Sequence, residues 1–267
     1  MAPKTVYVIR HCDKPDANVD GCNDIGYQRA LLLAGLNGSC EHNLTTCNNK
    51  CTGTFSGNGY WDKELNGQKP LRLLAPLSKN DKPNSQNTFQ NQKCTSSNRC
   101  CLILNPTAAH YNMTINQDGK YFCDNQGADI GSYILSESKF NNGIIIVAWE
   151  HKDIHNLINA LGVDPQLSKW PKDASNRYDL VFKVDFVNNK PILSISTQNL
   201  GLPGDSTAIP FQYNSSLKSI KQNDTNKNND KNTNGKNMIL IAGITFSVIL
   251  FILIVFFLIY FFRNKNL

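Results

Sequence analysis

Val6-Tyr7-Val8-Ile9-Arg10-His11-Cys12-Asp13-Lys14-Pro15 decides how this chain is read. Thr5 to Ile9 is a short run of β-branched and aromatic residues, the composition of a buried strand. Arg10 and His11 end it, and Pro15 stops it, because proline cannot donate to a ladder. Open α/β sheets bind ligands outside the carboxyl ends of their strands, which is where this pair falls. A guanidinium grips an oxyanion through two parallel hydrogen bonds. A neutral imidazole keeps a lone pair near pH 7 and can attack phosphorus. A strand end that merely carries two polar residues reads the same way, so the pair needs partners elsewhere in the chain.

The strongest strand, Ile144-Ile145-Ile146-Val147-Ala148-Trp149, repeats the pattern. It is apolar on both faces, as expected of a strand inside a parallel sheet. It ends in Glu150-His151, and Lys152 or Asp153 then opens a helix over Ile154–Leu161, closed by Gly162. A third element offers an arginine. In Cys94-Thr95-Ser96-Ser97-Asn98-Arg99, Ser96 or Ser97 suits a cap that puts Arg99 in the first turn of a helix, where backbone N–H groups already favour anions. Pro106 predicts a kink or break in that helix.

Between these landmarks, Asn23 or Asp24 can cap a helix running to about Leu36, with Gly35 and Gly38 suited to its end. That helix would return across the sheet as the crossover of a right-handed βαβ unit. Residues 37–69 read as irregular. Pro70–Leu77 reads as a second short strand, and Ser78–Lys93 as a polar surface loop. Asp124–Ser138 reads as a helix, Asn141-Asn142-Gly143 as a turn, and residues 177–196 as a hairpin turning at Asn188-Asn189.

The charge balance, 27 Lys+Arg against 21 Asp+Glu, is only mildly basic. No basic patch interleaved with aromatics appears in the first 200 residues, which argues against a nucleic-acid partner. The nine cysteines are an odd number and cannot all pair within one chain. No signal-peptide pattern opens the sequence, so the expectation is a cytosolic domain with reduced thiols. Cys40, His42, Cys47 and Cys51 could supply three thiolates and an imidazole to zinc. Their spacing matches no zinc template, and a loop with reduced or opportunistically paired cysteines is the expected reading. Asn-x-Ser/Thr sequons start at Asn37, Asn43, Asn112, Asn214 and Asn223. They matter only for a chain that enters a secretory lumen.

From Asn214 to Asn237 the composition collapses to Asn, Lys, Asp, Ser and Thr, which predicts a disordered linker. Met238 to Phe262 is 25 residues without a charge. At about 1.5 Å per residue it reaches roughly 37 Å, more than a bilayer core of about 30 Å. This predicts one C-terminal transmembrane helix in contact with the lipid bilayer. Lys218, Lys221, Lys227, Lys231 and Lys236 precede it, and only Arg263 and Lys265 follow. The positive-inside bias then places the folded domain in the cytosol, with 263–267 as a short tail across the membrane. The domain plan is therefore 1–213, 214–237, 238–262 and 263–267.

Arg10-His11, Asn23-Asp24-Ile25-Gly26-Tyr27-Gln28-Arg29-Ala30, Ser97-Asn98-Arg99 and Trp149-Glu150-His151 together resemble the histidine phosphatase (phosphoglycerate mutase-like) superfamily over about residues 5–205. Val8 to Pro15 is similar to the subgroup whose motif reads Arg-His-x-Glu-Lys-Pro. The resemblance implies an α/β fold: a three-layer phosphoglycerate mutase-like arrangement of a sheet flanked by helices. It implies His11 as the nucleophile that accepts a phosphoryl group, with Arg10, Arg99 and His151 completing the phosphate pocket. Arg72 is the alternative second arginine. The general acid would be Glu150, Asp13 or Asp153. The implied activity is metal-independent hydrolysis of phosphate esters, without a cofactor, on a phosphorylated small molecule or a phosphoprotein; a mutase is the lesser option. A catalytically weak module that binds phosphorylated ligands is the alternative. The chain departs from the pattern at Cys12, where many members carry glycine, and at Asp13, where the motif has glutamate.

Overall fold

Two buried strands carry the structure. β1 (Thr5–Arg10) and β5 (Ile144–Trp149) are buried at every position and pair in parallel, with Arg10 opposite Trp149. The computed structural model describes residues 2–15, 20–43, 47–77, 94, 98–168 and 176–209. In chain order the other elements are α1 (Asp24–Ala34), β2 (Leu36–Cys40), β3 (Cys51–Phe55), α2 (Tyr60–Glu64), β4 (Arg72–Leu74), α3 (Arg99–His110), α4 (Gly127–Ser136), α5 (Ile154–Ala160), β6 (Leu180–Val187) and β7 (Lys190–Thr197). The fold is α/β, with a mixed five-stranded sheet in the order β4-β5-β1-β6-β7. β4, β5 and β1 run parallel; β6 is antiparallel to β1, and β7 to β6.

Because side chains alternate across a strand, each central strand feeds two cores. Val6, Val8, Ile145 and Val147 pack on one face with Ile130 and Ile134 of α4 and Ile154, Leu157 and Ile158 of α5. Tyr7, Ile9, Ile146 and Ala148 pack on the other face with Ala30 and Leu33 of α1, Trp61 of α2 and Leu102 to Leu104 of α3. Each fully buried Val or Ile contributes about 1.5–3 kcal/mol. Helices on both faces explain why β1 and β5 read as continuous apolar runs.

Asn23 caps α1, its side chain accepting from the Gly26 N–H, and Gly35 ends it at φ 65°. The helix stops earlier than Leu36 and is not a direct crossover. Leu36 opens the β2–β3 hairpin, and the next strand of the main sheet, β4, is separated from β1 by β5. Residues 37–69 are therefore more regular than the sequence suggests. Both hairpin strands are mostly exposed, so no apolar alternation betrays them. α3 runs unbroken through Pro106. Every residue from Cys100 to Ala108 is buried, and this packing outweighs the roughly 3 kcal/mol cost of an internal proline. α3 opens at Arg99 after Asn98, which makes no side-chain capping bond; Ser96 and Ser97 lie outside the described residues. α4 is shorter than the 124–138 expectation and leads into a single 3-10 turn, Ser138–Phe140. The β6–β7 hairpin turns as expected, with Asn188 and Asn189 at φ 53° and 61°.

The cysteines overturn the expectation of reduced thiols. Disulfides join Cys12–Cys22, Cys40–Cys51, Cys47–Cys101 and Cys94–Cys123, and Cys100 is free and buried. Three of the four residues considered for zinc are consumed in these bonds, and His42 stacks on Tyr27 instead, with ring centroids 3.5 Å apart. Pairing depends on which Cα atoms the fold brings together, and spacing along the chain does not reveal that. The segments expected as a surface loop (78–93), a linker (214–237), a transmembrane helix (238–262) and a tail (263–267) lie outside the described residues. Among the described residues no helix is long and apolar enough to cross a membrane.

Candidate active site

The parallel pairing of β1 with β5 brings their carboxyl ends together. The His11 N–H donates to the Trp149 carbonyl at 3.1 Å, so the ladder continues one step past both strands. Arg10-His11 and Glu150-His151 thereby share one site. His11 and Arg10 are each only 2% exposed. His11 Nδ1 lies 2.8 Å from the Cys12 carbonyl oxygen, which can only accept, so the proton sits on Nδ1. That leaves the lone pair on Nε2, to which Arg10 Nε donates at 3.4 Å. Burial pushes the His11 imidazole below its ordinary pKa; the Glu150 carboxylate opposes this, and the charges of Arg10 and Arg99 add to it. His11 is thus held neutral, with Nε2 between the Arg10 guanidinium and the Glu150 carboxylate, each at 3.4 Å.

Glu150 bridges the two imidazoles. Its Oε1 lies 2.5 Å from His151 Nδ1 and its Oε2 3.4 Å from His11 Nε2. Both are ion-pair contacts, and the second is longer than a direct charge-assisted bond. Burial alone would raise the Glu150 pKa, but its contacts with His11 and His151 outweigh burial and hold the carboxyl well below the usual range. Arg99 comes from the first turn of α3, and its charge acts on both His11 and Arg10. Its Nε is buried with no hydrogen-bond partner among the described residues. A buried donor left unpaired costs about 1–3 kcal/mol, so such a group points to an acceptor that arrives from outside.

The loop that presents His11 is clamped to α1. Cys12 bonds to Cys22, the Asn23 N–H donates to the Asp13 carbonyl at 2.9 Å, and Asp13 forms a two-pronged ion pair with Arg29, the closer contact being 2.7 Å. Gly26 abuts this loop so closely that a Cβ there would lie 2.8 Å from the Asp13 backbone nitrogen. Cys12 is therefore no free thiol beside His11, and its carbonyl oxygen sets the His11 tautomer.

Two of the three candidate acids are engaged elsewhere. Asp13 is held by Arg29 through both oxygens. Asp153 accepts from the Gly127 N–H and from Asn156 Nδ2, tying α4 to α5. Glu150 is the carboxyl that reaches His11. Arg72 is also removed from the site. It pairs with Ile145 in register, four residues before Trp149, or about 13 Å along the sheet at about 3.3 Å per residue. There it is ion-paired to Asp118 at 3.0 Å.

Sequence reasoning missed Tyr178. Its ring lies under the Arg10 guanidinium, 4.0 Å from Cζ to the centroid, and meets His11 edge-on at 5.7 Å. The Arg177 carbonyl beside it accepts from Arg10 Nη1 at 3.2 Å. Antiparallel pairing of β6 with β1 brings these residues to the carboxyl end of β1, a placement visible only once the strand order is known.

His11, Glu150 and His151 each offer a ligand atom within 4.8 Å of the others, a set able to hold a metal ion. Arg10, however, donates to His11 Nε2, and the charge of Arg99 acts on the same imidazole, so fixed positive charge opposes a cation there. No protein-family model matches this chain. No curated protein matches it in sequence.

Proposed function

We propose that this chain is a membrane-tethered phosphatase with a phosphoglycerate mutase-like, three-layer fold, hydrolysing phosphate esters through a phosphohistidine and without a metal. One observation carries the reading: a buried neutral imidazole whose reactive nitrogen faces Arg10, beside an Arg99 whose buried Nε awaits an acceptor. The resemblance of Arg10-His11, Arg99 and Glu150-His151 to the histidine phosphatase pattern supports it. His11 Nε2 attacks phosphorus, the N–P bond forms, and the ester P–O bond breaks. Arg10, Arg99 and His151 neutralise the phosphoryl oxygens. Water then attacks the phosphohistidine, releasing inorganic phosphate and restoring His11. Glu150 is ionised in the empty site. A phosphate dianion seated beside it raises its proton affinity, since like charge disfavours the ionised form, and lets it protonate the leaving oxygen. The apolar run 238–262 supports a transmembrane anchor that keeps this domain at a bilayer.

The test is turnover by the full chain in detergent against p-nitrophenyl phosphate and a panel of alkyl phosphates. Wild-type turnover with acid-labile, alkali-stable phosphate trapped on His11, and none in His11→Ala, is expected; equal rates in the variant overturn the assignment. The strongly ionised Glu150 favours one second reading, a weakly catalytic module that binds phosphorylated ligands. That reading predicts phosphate binding that survives His11→Ala, with no turnover of any ester in wild type.

A further inference from the structure

The disulfides and the sequons point to one side of a membrane. Eight of the nine cysteines pair, and the remaining one, Cys100, is buried. These bonds join separate parts of the domain. Cys12–Cys22 ties the nucleophile loop to the start of α1, Cys40–Cys51 links β2 to β3, Cys47–Cys101 anchors the hairpin side to α3, and Cys94–Cys123 spans 29 residues of sequence. Such a framework persists in oxidising compartments and is reduced in a cytosol held by glutathione and thioredoxin. Asn37 on β2 is exposed, as is its sequon partner Ser39. Asn112 is exposed in the turn after α3, at φ 49°, and so is Thr114. Asn43 is exposed too, although Thr45 lies outside the described residues. In each case a glycan would stand in solvent without displacing packed side chains.

We infer that the folded domain faces an oxidising, glycosylating lumen or the cell exterior, with Asn37 and Asn112 as N-glycan acceptors, and not the cytosol. Each disulfide forms by transfer of two electrons and two protons from a thiol pair to a disulfide carrier, whose own bond becomes a dithiol. Each glycan is donated by a lipid diphosphate-linked oligosaccharide. The asparagine amide nitrogen bonds to the anomeric carbon, the carbon–oxygen bond to the diphosphate breaks, and the amide loses a proton. The lysines before residue 238 all lie within 20 residues of the apolar run and favour the opposite orientation. A long folded domain translocates largely regardless of charge, and the four disulfides weigh against that bias. Arg263 and Lys265, immediately beyond the apolar run, are consistent with a cytosolic tail.

This inference is independent of the phosphatase reading, and its test needs no activity. The full chain is isolated from its native membranes with thiols blocked at lysis, then denatured and alkylated with a second reagent before and after reduction. Peptide N-glycosidase treatment and peptide mass spectrometry follow. The expected result is one thiol, Cys100, alkylated before reduction. It includes faster migration after glycosidase, with Asn37 and Asn112 converted to Asp. Ser39→Ala and Thr114→Ala should each remove one step of that migration shift. All nine cysteines carrying one reagent or the other before reduction, with none freed by reduction, or glycosidase treatment that changes neither migration nor these two residues, overturns the inference.

Discussion

Arg29 and Arg99 sit on two helices, α1 and α3, beside the loop that carries His11, and they are held in opposite ways. Arg29 is 1% exposed and donates to both oxygens of Asp13, to Asp205 at 2.7 Å and to Gln198 at 3.1 Å. Arg99 has a buried Nε with no partner among the described residues. The satisfied guanidinium fastens α1 to the loop carrying His11 and to the chain near residue 205. The unsatisfied one leaves positive charge directed at the site. Arg29 is a buried cation whose donors the protein consumes, and it builds structure; Arg99 is half-buried and keeps a buried donor to spare.

The largest effect expected from breaking this contrast is on stability. Arg29→Ala leaves Asp13 and Asp205 without their shared cation and should cost about 3–5 kcal/mol in urea or thermal unfolding, the range for removing one partner of a buried ion pair. Arg99→Ala should leave unfolding unchanged or stabilise the fold by up to about 1–3 kcal/mol, because it breaks no bond in the described structure and removes a buried unpaired donor. It should lower kcat/KM for phosphate esters by about 10²–10³-fold, the typical loss of one group that stabilises transition-state charge. If Arg99→Ala unfolds the protein and Arg29→Ala is silent, the contrast is wrong.

Ligand linkage sharpens it further. Inorganic phosphate at about 100 times its Kd should stabilise the wild type by about 2.7 kcal/mol. The same addition to Arg99→Ala should give a much smaller shift in Tm. Glu150→Gln tests the acid role. Turnover of alkyl phosphates should fall by about 10²–10⁴-fold, while p-nitrophenyl phosphate, whose leaving group needs no proton, should lose far less. Equal losses on both would remove Glu150 from that role.

The smallest expected effect is in pH dependence. The folded-state pKa of His11 is lowered, so its neutral form is favoured by folding. The stability this gives is present above the unfolded value of about 6.5 and is lost as pH falls from there through the folded value. The acid limb of kcat/KM should accordingly lie below about pH 6.5. Arg99→Ala removes one charge that lowers His11 and should move that limb upward. A conservative Arg29→Lys, which keeps the domain folded through its charge, should leave the limb in place.

Much of this was legible in the chain because the signals are local. Thr5–Arg10 and Ile144–Trp149 announce themselves by uninterrupted apolar runs, and the Asn188-Asn189 turn by residues that tolerate positive φ. Arg10-His11 and Glu150-His151 stood out because charged groups directly follow those runs. What escaped was exposed or non-local. The β2–β3 hairpin buries too little to show a period, and the continuity of α3 through Pro106 rests on packing against the sheet.

The sequence by itself determined that two buried strands end in a histidine and that nine cysteines cannot all pair. It did so because strand composition and residue counts need no knowledge of what lies opposite. Only the tertiary structure decided which carboxylate meets His11, which arginine is left wanting an anion, and which cysteines meet. Asp13, Glu150 and Asp153 are the same chemistry on paper. Pairing with Arg29 removes the first, a clamp between α4 and α5 removes the third, and the register of β1 against β5 sets Glu150 between two imidazoles. Those outcomes depend on contacts between residues far apart in the chain, fixed only when the sheet closes around them.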